Sequence, residues 1–501
     1  MASLSIASIL AESAVRHAGR TAVVMGEQRI TYDALWADAL RYAAALRDEH
    51  GVGPGDKVGV LVPNVPDFPR TYYAVLALGA VVVPVHALLR AEEIAYVLGD
   101  SGATLLVCHE ALQGEGAKGA ELADVPVVAP SALAGGTATL DTYVPRDPAD
   151  DAVILYTSGT TGKPKGAVLS HLNVVMNVTI SAYDVIGLRA DDVILGCLPL
   201  FHSFGQTCAM NSGFRAGAAL VLMPRFEGPA AMDAIEAYGV TVFMGVPTMY
   251  IALLDTARTD ERRPALRIAV SGGASLPVAV MDRWRETFGS EIYEGYGLSE
   301  TSPVATFNHE SVGRKPGTVG TPIWGVDVEI ARADVEDRIE LVGTGEIGEV
   351  VIRGHNVFTG YLNNDEATRN AIVDGWFRSG DLGTKDADGF VAIVDRKKDM
   401  VLRGGFNVYP REVEEVLLRH PAVGQVAVIA LPDETHGEEV CAVVVRSPEG
   451  ADVTEGEIVE WARGQMAAHK YPRVVRFVDA FPLGPSGKVL KRELVARFAE
   501  G

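Results

Sequence analysis

Apolar residues recur at helical spacing over residues 4–17, which predicts an amphipathic helix near the start of the chain. Two short runs follow, Ala22-Val23-Val24-Met25 and Gln28-Arg29-Ile30, with Gly26 at the turn of a hairpin. Thr31 opens a second helix carrying Leu35, Leu40, Ala44 and Leu46. The pattern then alternates: strand at 58–62, helix at 66–78, strand at 81–83, helix at 92–98, strand at 105–107. Strands joined through helices imply a mainly parallel sheet with crossovers. Further apolar runs at 152–155, 243–246 and 268–270 read as buried strands, and Ser170 is placed to cap a helix through 176. Glycine-rich turns at 343–349 and 354–361 suggest a small β subdomain. The charge run Asp395-Arg396-Lys397-Lys398-Asp399 reads, by itself, as a solvated linker. Beyond it, strands at 425–429 and 440–445 are flanked by helices at 412–418 and 455–465. The expected class is α/β: a large N-terminal domain of α/β subdomains with parallel-rich sheets and a small β subdomain, then a small α+β C-terminal domain.

A chain of 501 residues is long enough for two or three cores, and 48% apolar content makes it globular. The net charge of −21 argues against non-specific nucleic-acid binding but leaves room for a local basic pocket. Cys108, Cys197, Cys208 and Cys441 form no C-x-x-C pair and no zinc-like cluster, so they read as buried thiols of a reducing compartment. Residues 1–10 lack a basic segment followed by a continuous apolar one, and no run approaches the ~20 apolar residues that span a bilayer. The expectation is a soluble cytoplasmic protein.

The chemistry concentrates in Tyr156-Thr157-Ser158-Gly159-Thr160-Thr161-Gly162-Lys163-Pro164-Lys165-Gly166, directly after an apolar strand. Glycines let backbone N–H groups approach an anion, hydroxyls donate to phosphate oxygens, and the lysines add positive charge. This is the composition of a polyphosphate-binding loop. It is not a Walker A loop: two residues separate Gly159 from Gly162-Lys163, and Pro164 stands where that motif needs Ser or Thr.

The loop resembles the signature of the adenylate-forming superfamily, which includes acyl-CoA synthetases, peptide-synthetase adenylation domains and beetle luciferases. Further stretches along the chain carry the same resemblance, in the family's order. In Tyr293-Glu294-Gly295-Tyr296-Gly297-Leu298-Ser299-Glu300-Thr301, two glycines flank Tyr296 and leave a ring face for stacking on adenine; Ser299 offers a hydroxyl to the α-phosphate. Glu300 offers a hard oxygen that suits Mg²⁺ bridged to phosphates. Leu198-Pro199-Leu200-Phe201-His202-Ser203-Phe204-Gly205 resembles the gating segment, with His202 beside the acyl carboxylate. Ser271-Gly272-Gly273-Ala274 resembles one wall of the adenine site. Asp381, between Gly380 and Gly383, is implied to take both ribose hydroxyls, with Arg396 near the ribose or phosphates. Lys398 is implied as the hinge between domains at 1–397 and 398–501, the second a mobile lid. Gly404, Gly405 and Phe406 would border the pantetheine path; Leu402 stands where relatives often have a lysine. Pro482, Gly487, Lys488 and Lys491 match the C-terminal motif, in which Lys488 reaches into the cleft.

The resemblance, in its fatty acid–CoA ligase branch, implies ATP-dependent activation of a carboxylic acid to acyl-AMP, then transfer to CoA. ATP, Mg²⁺ and CoA are the expected cofactors, and an acyl carrier protein is the alternative acceptor. Lys488, Glu300 and His202 are the implied catalytic residues. The nucleotide site takes in Thr157, Ser158, Gly159, Thr160, Thr161, Gly162, Lys163, Lys165, Gly273, Ala274, Glu294, Gly295, Tyr296, Ser299, Asp381 and Arg396. The acyl pocket is assigned to Phe204, Met244, Val246, Gly272, Gly297, Leu298 and Val304, all apolar or glycine. His202 occupies the place where amino-acid-activating domains carry an aspartate, which disfavours an amino acid. A medium- or long-chain fatty acid is the first expectation, an aryl acid the second. Oligomeric state, including a homodimer, is left open.

Overall fold

The computed structural model describes residues 3–157, 163–484 and 489–499. Two parallel-rich sheets carry the bulk of the chain. The nine-stranded sheet runs, edge to edge, through Thr321–Pro322, Val304–Phe307, Ile292–Gly297, Ile268–Ser271, Val242–Gly245, Val193–Gly196, Ala219–Leu222, Thr21–Met25 and Gln28–Thr31. From Ile292–Gly297 to Thr21–Met25 every neighbouring pair is parallel. The seven-stranded sheet runs through Gly360–Tyr361, Lys165–Ser170, Asp151–Thr157, Val81–Pro84, Lys57–Leu61, Leu105–Cys108 and Val127–Val128. Its central strands Lys57–Leu61, Val81–Pro84 and Leu105–Cys108 are buried over nearly their whole length, as parallel strands covered on both faces are. No helix among the described residues is long and apolar enough to cross a membrane.

The expected helices and strands of the first hundred residues are present, but the hairpin is elsewhere than their order suggested. Strand Thr21–Met25 pairs with Ala219–Leu222 (Val23 opposite Leu220), so it belongs to the nine-stranded sheet, not with Lys57–Leu61. Alternation along the chain predicts crossovers, but it does not identify a hydrogen-bond partner so far away in sequence.

The small β subdomain is a five-stranded antiparallel sheet: Val326–Ala331, Gly348–Gly354, Trp376–Lys385 and Ile372–Val373, with Val391–Arg396 on Trp376–Lys385. A fourth sheet, Phe406–Val408, Val401–Arg403, Gly437–Arg446 and Val423–Asp433, gains Val474–Phe477 as a parallel partner. It is covered by helices Pro410–Leu417, Glu455–Gln465 and Lys491–Phe498 and packs its own apolar clusters around Val401, Val428 and Val444, and around Cys441 and Leu494. Lys398 is exposed in the turn between Val391–Arg396 and Val401–Arg403, where the chain leaves the third sheet for the fourth.

Candidate active site

Ligands of parallel α/β sheets bind beyond the carboxyl ends of the strands. Here three adjacent parallel strands deliver predicted site residues at that end: Val242–Gly245 leads to Val246, Ile268–Ser271 to Gly272-Gly273, and Ile292–Gly297 to Leu298-Ser299-Glu300. Asp151–Thr157 of the other sheet ends at the phosphate loop, and the two sheets meet through Glu300. Its Oε1 accepts from Thr157 Oγ1 at 3.3 Å and from Tyr361 Oη at 3.0 Å. Its carbonyl accepts the Phe358 N–H at 2.9 Å. Glu300 is 7% exposed, and its Oε2 takes no hydrogen bond among the described residues. A buried carboxylate with one oxygen fixed and one open, bonded to Thr157 where the glycine- and hydroxyl-rich segment begins, is a donor that would suit a Mg²⁺ ion. Lys163 lies 5.5 Å over the Tyr96 ring and Lys165 lies 5.2 Å over the Tyr361 ring. Ser158, Gly159, Thr160, Thr161, Gly162 and Lys488 fall outside the described residues.

The third sheet joins the site through Asp381. Tyr296 Oη donates to Asp381 Oδ2 at 2.6 Å, and Arg396, opposite in the ladder, reaches Oδ1 at 3.3 Å. Asp381 lies within strand Trp376–Lys385. Burial, then the Asp381 charge, holds the Tyr296 phenol far above its ordinary pKa, so it remains a hydrogen-bond donor. The glycines flanking Tyr296 answer to packing: a Cβ at Gly295 would meet the Phe307 ring at 2.7 Å, and one at Gly297 would meet the Pro303 carbonyl oxygen at 1.8 Å.

Glu294 is fully inside the same strand. Oε1 accepts the Leu276 N–H at 3.0 Å, while Oε2 is buried without a partner. Burial pushes its pKa up to about 7, with Arg411 of helix Pro410–Leu417 pulling the other way. Gly273 has φ of +80° and is half-buried beside exposed Ala274.

The region expected to take the acyl group leaves little open room. Leu198, Pro199, His202, Phe204, Gly205, Val246 and Gly273 line a cavity of about 10 Å³, the room of a single water. The Phe204 ring packs on Gly272, 3.3 Å from where a Cβ would stand. His202 Nδ1 accepts the Phe204 N–H at 3.2 Å, so the imidazole braces the segment. Met244, fully buried in its strand, and Gly297, Leu298 and Val304 do not line this cavity. The segment continues into a π-helix, Phe204–Asn211, which no sequence period announces.

Gly404 and Gly405, both at positive φ (+56° and +83°), make the tight turn between Val401–Arg403 and Phe406–Val408. Phe406 is 57% exposed and stacks on His469 at 4.8 Å. Tyr361 was missing from the expected site. Gly360-Tyr361 looks like a plain turn, and its contact with Glu300 lies 61 residues away in sequence.

The fold and this constellation define a nucleotide-dependent carboxylate-activating enzyme. Residues 10–362 match the model of the AMP-binding enzyme family, and residues 412–488 match that of the AMP-binding enzyme C-terminal domain. The chain belongs to this family, as an adenylate-forming acid–CoA ligase. It is 34% identical to the long-chain-fatty-acid–CoA ligase of Bacillus subtilis, over 99% of this chain and 95% of that protein. It is 37% identical to a feruloyl-CoA synthase of Amycolatopsis, over 95% and 96%. The crystal structure of ATP-bound MatB from Rhodopseudomonas palustris superposes with a TM-score of 0.91 at 32% identity, covering 99% of both chains.

Proposed function

We propose that this chain activates an apolar carboxylic acid with ATP and transfers the acyl group to CoA, with the two steps sharing one site. A carboxylate oxygen attacks the α-phosphorus of ATP and displaces pyrophosphate; a thiol then attacks the acyl carbon of acyl-AMP and displaces AMP. The first step brings two anions together, so the site works by offsetting that repulsion. The phosphate loop with Lys163 and Lys165 cradles the polyphosphate, and Lys488 draws the carboxylate and phosphate together. Glu300 would hold Mg²⁺, whose charge would offset that of the phosphates. Tyr296, Gly273, Ala274 and Glu294 surround adenine, and Asp381 with Arg396 takes the ribose. His202 and Phe204 orient the acid. The observation that carries this reading is the meeting of Thr157 and Tyr361 on Glu300, and of Tyr296 and Arg396 on Asp381, around the same strand ends.

The cavity lining is apolar apart from His202 and holds no arginine to pair a second carboxylate. A medium- or long-chain fatty acid is the first reading, in line with the Bacillus relative. An aryl acid is the second, in line with the feruloyl-CoA relative. AMP release should be measured across short to long fatty acids, benzoates and cinnamates, with and without CoA. Release that requires CoA and peaks with the long alkyl acids supports the first reading; a peak with aryl acids replaces it with the second. Adenylate formation without turnover on CoA would shift the acceptor to a carrier protein.

A further inference from the structure

The Gly380 peptide is held from both sides. Its N–H donates to Glu349 Oε1 at 3.1 Å, and its carbonyl accepts the Lys397 N–H at 2.9 Å. Gly380 has φ of +74° in the middle of strand Trp376–Lys385, a left-handed kink that sets where the next side chain points. Glu349 is itself gripped: Arg378 Nε and Nη2 reach its Oε2 at 3.0 and 2.6 Å, with the two side chains only 7% and 4% exposed. Arg378 also donates to the Val335 carbonyl at 2.6 Å. Ser379 Oγ donates to the Val350 carbonyl at 2.7 Å and accepts the Asp381 N–H at 3.1 Å.

A buried ion pair is a poor stabiliser, because removing two charges from water offsets their attraction; apolar side chains of similar volume often serve the fold as well or better. Here the carboxylate fixes the backbone one residue before Asp381. We infer that the Arg378–Glu349 pair is a positioning device for the nucleotide site. It locks the Gly380 kink so that the Asp381 carboxylate stands ready for two vicinal ribose hydroxyls. The inference rests on the ribose role proposed above for Asp381.

The test is equilibrium binding of ATP, 2′-deoxyATP and 3′-deoxyATP to the full chain by calorimetry. Asp381→Asn probes the ribose role: it should weaken ATP by about 10-fold or more and abolish the preference over both deoxy analogues. The double variant Arg378→Met/Glu349→Leu removes both charges and leaves neither unpaired. With Asp381 intact, it should weaken ATP by roughly 10-fold and bring the deoxy ratios towards one, while the thermal midpoint moves little. Glu349→Gln keeps an acceptor for the Gly380 N–H but loses the ion pair, and its ratios should lie between wild type and the double variant. If Asp381→Asn keeps the wild-type preference, the ribose role falls and this inference falls with it. If Asp381→Asn loses the preference and the double variant keeps it, the positioning role alone is overturned. Should the double variant not fold, Glu349→Gln decides: reduced ratios support the inference and wild-type ratios overturn it.

Discussion

Glu294 is 1% exposed and has one carboxylate oxygen without a partner. Its pKa is pushed from an ordinary 4.5 to about 7, chiefly by burial, with Arg411 opposing and Glu415 adding. The folded protein therefore keeps a proton that the unfolded chain has released between pH 4.5 and 7. The unfavourable contribution is absent below pH 4.5, grows through that window, and is complete above pH 7, on the order of 3 kcal/mol. Glu294→Gln should raise the thermal midpoint by several degrees at pH 8 and match wild type near pH 4; equal midpoints at pH 8 would show that the carboxylate is hydrated. Two glycines nearby make a sharper contrast. Alanine at Gly297 would strike a backbone carbonyl, so Gly297→Ala should destabilise the fold by about 3 kcal/mol or more in chemical denaturation. Alanine at Gly272 would press only on the Phe204 ring, so Gly272→Ala should fold normally and raise KM for the acid several-fold, with KM for ATP unchanged. The motif made both glycines visible but assigned Gly297 to the acyl pocket. The structure adds the Pro303 carbonyl across the turn as a constraint on Gly297, a contact that the spacing of residues does not reveal.

The two-residue strand Gly360–Tyr361 connects the strand that follows the proposed phosphate loop to the Glu300 carboxylate. It pairs with Lys165–Ser170, the strand that carries the chain out of the loop, while its tyrosine holds Glu300 through the hydroxyl and Lys165 through the ring. Tyr361→Phe keeps the ring and removes one of the two hydroxyls on Glu300 Oε1. Losing a hydrogen bond to a charged group should lower the adenylation rate by roughly 10-fold and raise the Mg²⁺ concentration for half-maximal ATP binding, with an unchanged thermal midpoint. A normal Mg²⁺ requirement would reduce Tyr361 to a packing residue. Elements with a strong local period were legible: the helix at 455–465 lies where the pattern puts it, and Ser170 caps its helix as expected, with Asn173 completing the box. Elements defined by distant pairing were not. Val474–Phe477 is a strand only because Gly437–Arg446 lies beside it, and Gly360–Tyr361 is too short to carry any period.

At the scale of the molecule, the third and fourth sheets are linked by a turn that contains Lys398, and the contacts across it are polar. Arg411 donates its N–H to Asp395 at 2.9 Å and its guanidinium to the Ile393 carbonyl, while Lys491, paired at 2.7 Å with Glu414 on its own side of the turn, contributes across it to the field at Asp395. Asp395 is buried, and its pKa is raised by burial, with Lys491 opposing. A joint closed by a few hydrogen bonds and charges, with separate apolar clusters on either side, can reopen without unfolding either core. That is the physical requirement for a C-terminal domain that presents Lys488 in one step and the Gly404-Gly405 turn in the other. The two steps can be measured apart: pyrophosphate exchange reports adenylation, and thioester release from supplied acyl-adenylate reports transfer. Lys488→Ala should slow the first by ~10²–10³, as loss of one oxyanion donor does, and leave the second near wild type. An equal loss in both would mean that Lys488 serves a single fixed arrangement, and the rotation about Lys398 would have to be abandoned.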